Sequence, residues 1–398
     1  MYDPYGVVWQ THKTAWIKSV YKRLWRLFDA GEITKASGLR FSKKEKNMKK
    51  RLVAGLLAGT MAMAMMAGCG SSSSGSTAAA SDAKETASGS TAAAPSGDAK
   101  YNMTLVMSVR DEFRSSVEQA ISSQAAEYGV SFAAQDANND TNKMLQYIEA
   151  SANGGDDAVI VNLIDSETAP QCIEAAGDMK VVFVNIAPSD LSCLNENACM
   201  VASDNLEAGQ RQGEYLTQWC KDNNKTELNY ILLKGTLGLI HSEQRSDGVI
   251  DTLEANGIKC NNVAGNPLVA DFDRATAQDM ISPLLGVEEF DAIIANNDAM
   301  ALGAVEALKA AGMDPKDYQI VGVDCTADGA EAIESGDMSM TVFQDPQGQG
   351  SGSLQAAVNM LEGKPINEGT NYELAEDNEY VMWVPFETVT ADNVADFK

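Results

Sequence analysis

An α/β protein with two doubly wound parallel-sheet lobes is the fold class this sequence predicts, and three observations predict it. Short runs rich in Val, Ile, Leu and Ala recur from Tyr101 onward, helix-length stretches separate them, and the alternation falls into two blocks. Continuous apolar runs separated by helices imply strands buried on both faces, hence parallel pairing under helices. Two blocks of that texture imply two such domains.

The chain before residue 101 stands outside the pattern. Residues 1–47 are basic and carry Trp9, Trp16 and Trp25. They precede a good start at Met48 and are read as a mis-assigned upstream extension, because an export signal belongs at the true N-terminus. Residues 48–68 have the form of a signal peptide, with Lys49-Lys50-Arg51 followed by an apolar run from Leu52 to Ala67. That run is shorter than the roughly 20 residues a spanning helix needs. Its end, Met66-Ala67-Gly68-Cys69, resembles the lipobox of bacterial lipoproteins, with Met where Leu is more usual. The resemblance makes Cys69 the lipidated first residue of an extracytoplasmic mature chain anchored to the cell membrane. Residues 69–100 are then a tether, since their Ser/Ala/Gly/Thr composition cannot bury a core.

Charge and cysteine usage narrow the function. Residues 1–68 hold 13 of the 30 basic and 4 of the 56 acidic side chains, leaving 17 against 52, near −35. Such a surface repels phosphate backbones, so nucleic acid is excluded as a partner. Beyond Cys69 the cysteines are Cys172, Cys193, Cys199, Cys220, Cys260 and Cys325, with no C-x-x-C pair to suggest zinc or redox chemistry. A bridge between Cys193 and Cys199 and a set of buried free thiols are both open.

Within the two blocks, strands are predicted at residues 103–109, 158–163, 181–185, 228–233, 292–295, 320–323 and 339–343. Helices are predicted at residues 115–128, 142–152, 206–219, 246–256, 274–285, 299–310 and 329–335. Gly129, Gly257 and Gly312 fall just past helices, where a left-handed C-terminal residue is expected. Several strands run into polar residues: Asn185, Asn296-Asn297-Asp298, Asp324 and Gln344-Asp345. One such residue is often only a helix cap or turn former. Four of them point to a shared polar cleft beyond the carboxyl ends of the strands.

The segment from Ala295 to Ala310, ANNDAMALGAVEALKA, is similar almost letter for letter to one in the periplasmic galactose/glucose-binding proteins. Tyr230 to Gly235, Val181 to Asn185 and Val384-Pro385-Phe386 resemble that family too, in order along residues 101–398. Ribose-binding proteins are the next relatives, through Asp271-Phe272-Asp273-Arg274. The resemblance implies two lobes joined by three hinge crossings, near Asp204-Asn205, near Gln344-Asp345 and before Tyr380. It puts residues 101–205 and 345–372 in the first lobe, and 206–344 and 373–398 in the second. It further implies a monomeric, non-enzymatic protein that closes around a monosaccharide and delivers it to the membrane subunits of an ABC importer. Some relatives also signal to chemoreceptors, a further candidate partner.

By position the resemblance assigns Asp111, Phe113 and Asn185 to the ligand from the first lobe. From the second come His241, Arg245, Phe272, Asn297 and Asp324, with Gln344 at the hinge. The residue types suit a polyol. Carboxylates and amides meet hydroxyls, an Arg fork donates, and aromatic faces cover C–H patches. The departures are Ile186 where the family often has Lys, Phe272 for Trp, and Leu239 and His241 where it has His and Asp. Residues 221–227 lack the alternating oxygen ligands of the family's calcium loop, so neither metal nor cofactor is expected. Two rival classes use the same residues. A glycoside-processing enzyme would pair Asp111 with Asp324, but it leaves the Arg and the aromatics unexplained. A receptor for a pentose, nucleoside or signalling furanose is the alternative within the fold. A DNA-binding regulator of the same fold is excluded by the export signal.

Overall fold

The computed structural model describes residues 99–397; the extension, the signal peptide, Cys69 and nearly all of the tether lie outside the described residues. The first half of the chain alternates β1 (Tyr101–Met107), α1 (Glu112–Gln124), β2 (Val130–Asp136), α2 (Thr141–Gly154), β3 (Ala158–Val161), α3 (Ala169–Ala176), β4 (Lys180–Val184) and β5 (Ala198–Ala202). The second half continues with α4 (Asn205–Asp222), β6 (Glu227–Lys234), α5 (Ile240–Ala255), β7 (Lys259–Asn262), β8 (Leu268–Val269), α6 (Arg274–Ile281), β9 (Ala292–Ala295), α7 (Asp298–Ala310), β10 (Gln319–Val321) and α8 (Ala327–Ser335). The last elements are β11 (Thr341–Gln344), α9 (Pro346–Leu361), β12 (Glu373–Ala375), β13 (Asn378–Trp383) and β14 (Phe386–Val389).

These form the predicted fold class. One sheet has the order β12-β13-β5-β4-β3-β1-β2, the other β10-β9-β6-β7 with β8 beside β6. β11 and β14 pair with each other, and bridges at Val321–Met340 and Asp324–Phe343 attach them to the second sheet. Burial explains the continuous apolar strands. Val159 and Val161 face one first-lobe core with Met144 and Ile148 of α2, while Ala158 and Ile160 face the other with Val117, Ile121 and Leu354. In β6 and β9 the same alternation sends Leu232 and Ile294 toward α4 and α5, and Leu233 and Ile293 toward α6 and α7. Gly129, Gly257 and Gly312 have φ of 68°, 80° and 74°, the left-handed geometry that ends helices.

The chain passes between lobes at residues 203–204, between β5 and α4, and at Asp345, between β11 and α9. The third passage corrects the sequence reading. Residues from 373 onward were expected in the second lobe, with the crossing before Tyr380. Instead β13 pairs parallel with β5, Val381 opposite Met200, and completes the first-lobe sheet. Val381 and Met382 are both fully buried, one on each face, which is what holds the strand there. Pro385 then breaks the ladder, having no N–H to give it, and Phe386 enters the second-lobe core. Cys193 and Cys199 are free thiols, as are the other four described cysteines. Among the described residues no helix is long and apolar enough to cross a membrane.

Candidate functional site

The strand ends of both lobes face one cleft of about 370 Å³, measured out to its open mouth. On the first-lobe side, Asp111 caps α1 by accepting from the Arg114 backbone N–H at 2.7 Å. Its second oxygen meets the Arg114 guanidinium. The capping role and a place in the cleft therefore coincide. Phe113 packs on the first-lobe core and turns toward the same space. Asn185 follows β4 with φ of 68°, a conformation Asn tolerates better than most residues.

On the second-lobe side, Arg245 organises the floor. Helices α4 and α5 touch backbone to backbone, because a Cβ at Gly209 would lie 2.3 Å from the Arg245 carbonyl oxygen and one at Gly248 2.7 Å from that of Leu206. This contact brings Arg245 onto Asn205. Its Nε donates to Asn205 Oδ1 at 2.9 Å, Nη1 to the Asn296 carbonyl at 2.7 Å and Nη2 to Gln344 Oε1 at 3.0 Å. Asp324 lies 3.7 Å from Nη1. Burial pushes the Asp324 carboxyl well above the ordinary Asp range, and Arg245 only partly opposes this. Burial likewise lowers the Arg245 guanidinium, which remains charged. Asp324 and Cys325 have φ of 117° and 54°, so the turn after β10 is strained where it meets the cleft.

Phe272 lies over Gly235, where a Cβ would come within 2.0 Å of Cζ. Its ring stacks on His241 with centroids 5.2 Å apart and planes inclined by 18°. Burial, then Arg245 and Arg114, hold the His241 imidazole well below its usual range, so it is neutral at pH 7. Asn297 caps α7 through the Met300 N–H at 3.1 Å while lining the cleft. Beneath the floor, buried Asp298 accepts from Thr341 Oγ1 at 2.6 Å and the Thr326 N–H at 2.9 Å, and burial raises its carboxyl to about 7.

All nine residues singled out in the sequence line this cleft, and Arg114 and Asn205 join them. Arg114 carried a signal: a cation in the first turn of a helix opposes the macrodipole and asks for a reason. Asn205 follows a strand in the manner of Asn185, but that strand was not predicted. Chemically the cleft holds two Asp–Arg pairs, a neutral imidazole and two phenyl rings. It carries no excess of carboxyls over guanidiniums, so it suits a neutral, hydroxyl-rich molecule with apolar faces. Gln344 Nε2 and His241 Nδ1 are buried without a protein partner. Each would cost about 1–3 kcal/mol unless a bound molecule meets it. The lobes also touch directly: Leu239 and Phe272 pack with the first-lobe core.

Comparison with known proteins agrees with this geometry. The family described as the periplasmic binding protein domain matches residues 104–365. The chain is 31% identical to a putative rhizopine-binding protein of Rhizobium meliloti over 68% of its length and 83% of that protein. It is also 31% identical to the D-galactose/methyl-galactoside binding periplasmic protein of Haemophilus influenzae, over 78% of this chain and 95% of the relative. A ribose import binding protein of the same organism matches at 31% over 69% and 90%. Among solved structures, an ABC transporter solute binding protein of Bacillus halodurans with bound myo-inositol superposes with a TM-score of 0.65 at 29% identity, covering 76% of this chain and 99% of that one. A myo-inositol binding protein of Caulobacter superposes with a TM-score of 0.61 at 24% identity, over 76% and 97%, and supports the fold alone.

Proposed function

This chain belongs to the periplasmic binding protein domain family, and we propose that it captures a monosaccharide of the galactose or glucose type between its lobes and hands it to an ABC importer. The family is extracytoplasmic, and its members compared above are binding proteins, not enzymes. One observation carries the ligand reading. Side chains from both lobes converge on a cleft that offers amides, carboxyls, guanidiniums and aromatic faces together. The anchor at Cys69 is part of the proposal and rests on Met66-Ala67-Gly68-Cys69. It would keep the loaded protein close to the importer.

The mechanism follows from the division of the site. A ligand that meets Asp111 and Asn185 on one lobe, and Arg245, Asn297 and Asp324 on the other, gains its full set of contacts only when the lobes close. It therefore shifts the open–closed equilibrium. Taking a population from mostly open to mostly closed needs about 5.5 kcal/mol of differential binding. A few hydrogen bonds to charged groups, at about 1.5–3 kcal/mol each, suffice.

A second reading has its own support. The Bacillus halodurans protein at 29% identity holds myo-inositol, a ring of hydroxyls with no glycosidic position. The same cleft, with its mixed donors and acceptors, would accept it. Titration calorimetry with D-galactose, D-glucose, D-ribose, myo-inositol and uridine separates the two. Micromolar or tighter binding of a hexose supports the first and of myo-inositol alone the second. Failure of all five to bind would reject both.

A further inference from the structure

We propose that Gln349, which lies outside the cleft, is a positioning residue: it holds the side-chain amide of Asn185 and ties it to the hinge segment at Ser203. The inference rests on the reading of the cleft as a ligand site. Gln349 is fully buried in the second turn of α9, just past the crossing at Asp345. Its Oε1 accepts from Asn185 Nδ2 at 3.2 Å, and its Nε2 donates to Ser203 Oγ at 2.9 Å. Ser203, also buried, lies in the other crossing that leads into α4.

The direction of these bonds is dictated, not free. Asn162 Oδ1 accepts from Arg114 Nε at 3.0 Å, and its Nδ2 donates to the Val184 carbonyl at 3.2 Å. A guanidinium can only donate and a carbonyl can only accept, so the Asn162 amide has one possible orientation. Its Nδ2 also donates to Asn185 Oδ1 at 3.3 Å, which turns Asn185 Nδ2 toward Gln349. Gln349 must then present Oε1 to Asn185 and its NH2 group to Ser203. A second series reaches Ser203 from the other lobe. Asn205 Nδ2 donates to the Ser203 carbonyl at 3.1 Å, and Asn205 Oδ1 accepts from Arg245 Nε. Two series of bonds, one donating from Arg114 and one from Arg245, thus converge on Ser203, the first on its side-chain oxygen and the second on its carbonyl. Gln349 supplies the second hold on Asn185: Asn162 holds the Oδ1 end, and without Gln349 Oε1 the Nδ2 end would have no partner in this series. What a ligand does to Asn185 is thereby felt at the hinge.

The test uses Gln349→Met, of similar length but without the amide, and Ser203→Ala, which cuts the same link from the far side. In ligand-free protein the Asn185 side-chain amide signals, assigned with Asn185→Ala, should shift in Gln349→Met and exchange with water at least fivefold faster. D-galactose and myo-inositol serve as probes. Whichever binds should bind at least fivefold more weakly to Gln349→Met, yet less than twofold more weakly when the change is made in an Asn185→Ala background. Unchanged Asn185 signals, or an equal affinity loss in both backgrounds, would overturn the proposal in favour of a purely structural glutamine. If Gln349→Met does not fold, Ser203→Ala must show the same shift of the Asn185 signals, and its absence overturns the proposal. If neither probe binds the wild type, the affinity comparison uses whichever of the five titrated compounds does bind, and the ligand-free signals still decide the role of Gln349.

Discussion

Gly235→Ala should damage the cleft although it removes nothing from it. The added Cβ would lie 2.0, 2.3 and 2.6 Å from Cζ, Cε2 and Cε1 of Phe272. Carbon atoms rest about 3.5–4.0 Å apart, so the ring must move by about 1.5 Å. Phe272 cannot simply slide, since its backbone is held at φ of 60° after Asp271 at 53°. It therefore swings off the His241 stack and out of its place in the cleft lining. Overpacking of this kind costs about 1–3 kcal/mol of stability. Loss of an aromatic face costs about 1.4 kcal/mol or more of affinity, which is tenfold. Calorimetry with the ligand found in the five-compound titration, together with urea unfolding, measures both. The Phe272→Ala background isolates the cause. Phe272→Ala alone should lose at least tenfold in affinity, and adding Gly235→Ala should then cost less than about 0.5 kcal/mol, because the ring it would strike is gone. Equal destabilisation in both backgrounds, or affinity within twofold of wild type for Gly235→Ala, would refute the reasoning.

Asp324→Ala should weaken binding by about 1.5 kcal/mol or more and reduce ligand-induced compaction in small-angle scattering; unchanged values would remove Asp324 from the site. Arg245→Lys should weaken binding and stability together, since an ammonium cannot reproduce donation to Asn205, Asn296 and Gln344 at once; wild-type behaviour would show that charge alone matters. Asp298 is held with its carboxyl raised from 3.8 to about 7, so the folded protein binds that proton more tightly than the unfolded chain. Its contribution is present in full below the unfolded value and is lost as pH rises through about 7. Wild type should therefore lose stability relative to Asp298→Asn between pH 4 and 7, and parallel unfolding curves would contradict this. Cys69→Ala should yield unprocessed or released protein on membrane fractionation, whereas unchanged fractionation would end the lipoprotein proposal.

Much of the lobe architecture was legible because burial on both faces writes a simple pattern. The apolar runs at residues 158–163, 181–185 and 292–295 became strands within two residues of the expected ends. The misses have physical causes. β2 is mostly half-exposed at the sheet edge, so its side chains show no clean apolar run. α9 begins PQGQGSG, which reads as a linker because Gly disfavours helix. It is helical because its backbone lies against α1, where a Cβ at Gly350 would stand 2.6 Å from Ala120 Cβ. With α9 unseen, Gln349 carried no signal at all.

The sequence by itself determined the fold class, the acidic surface and the polar strand ends, since each of these is a property of neighbouring residues along one element. It also identified nine residues of the cleft, four of them already marked by their place at strand ends and the rest through likeness to a family. Tertiary structure decided what depends on residues far apart in the chain. It placed Asn205 and Arg114 in the cleft, moved the third crossing to Pro385, set Phe272 over Gly235 and joined Asn185 to Ser203 through Gln349, 164 residues away. Local pattern specifies which face of an element is buried. It does not specify which distant backbone will lie against that face, and the orientation of a buried amide is fixed only by the donors and acceptors that arrive there.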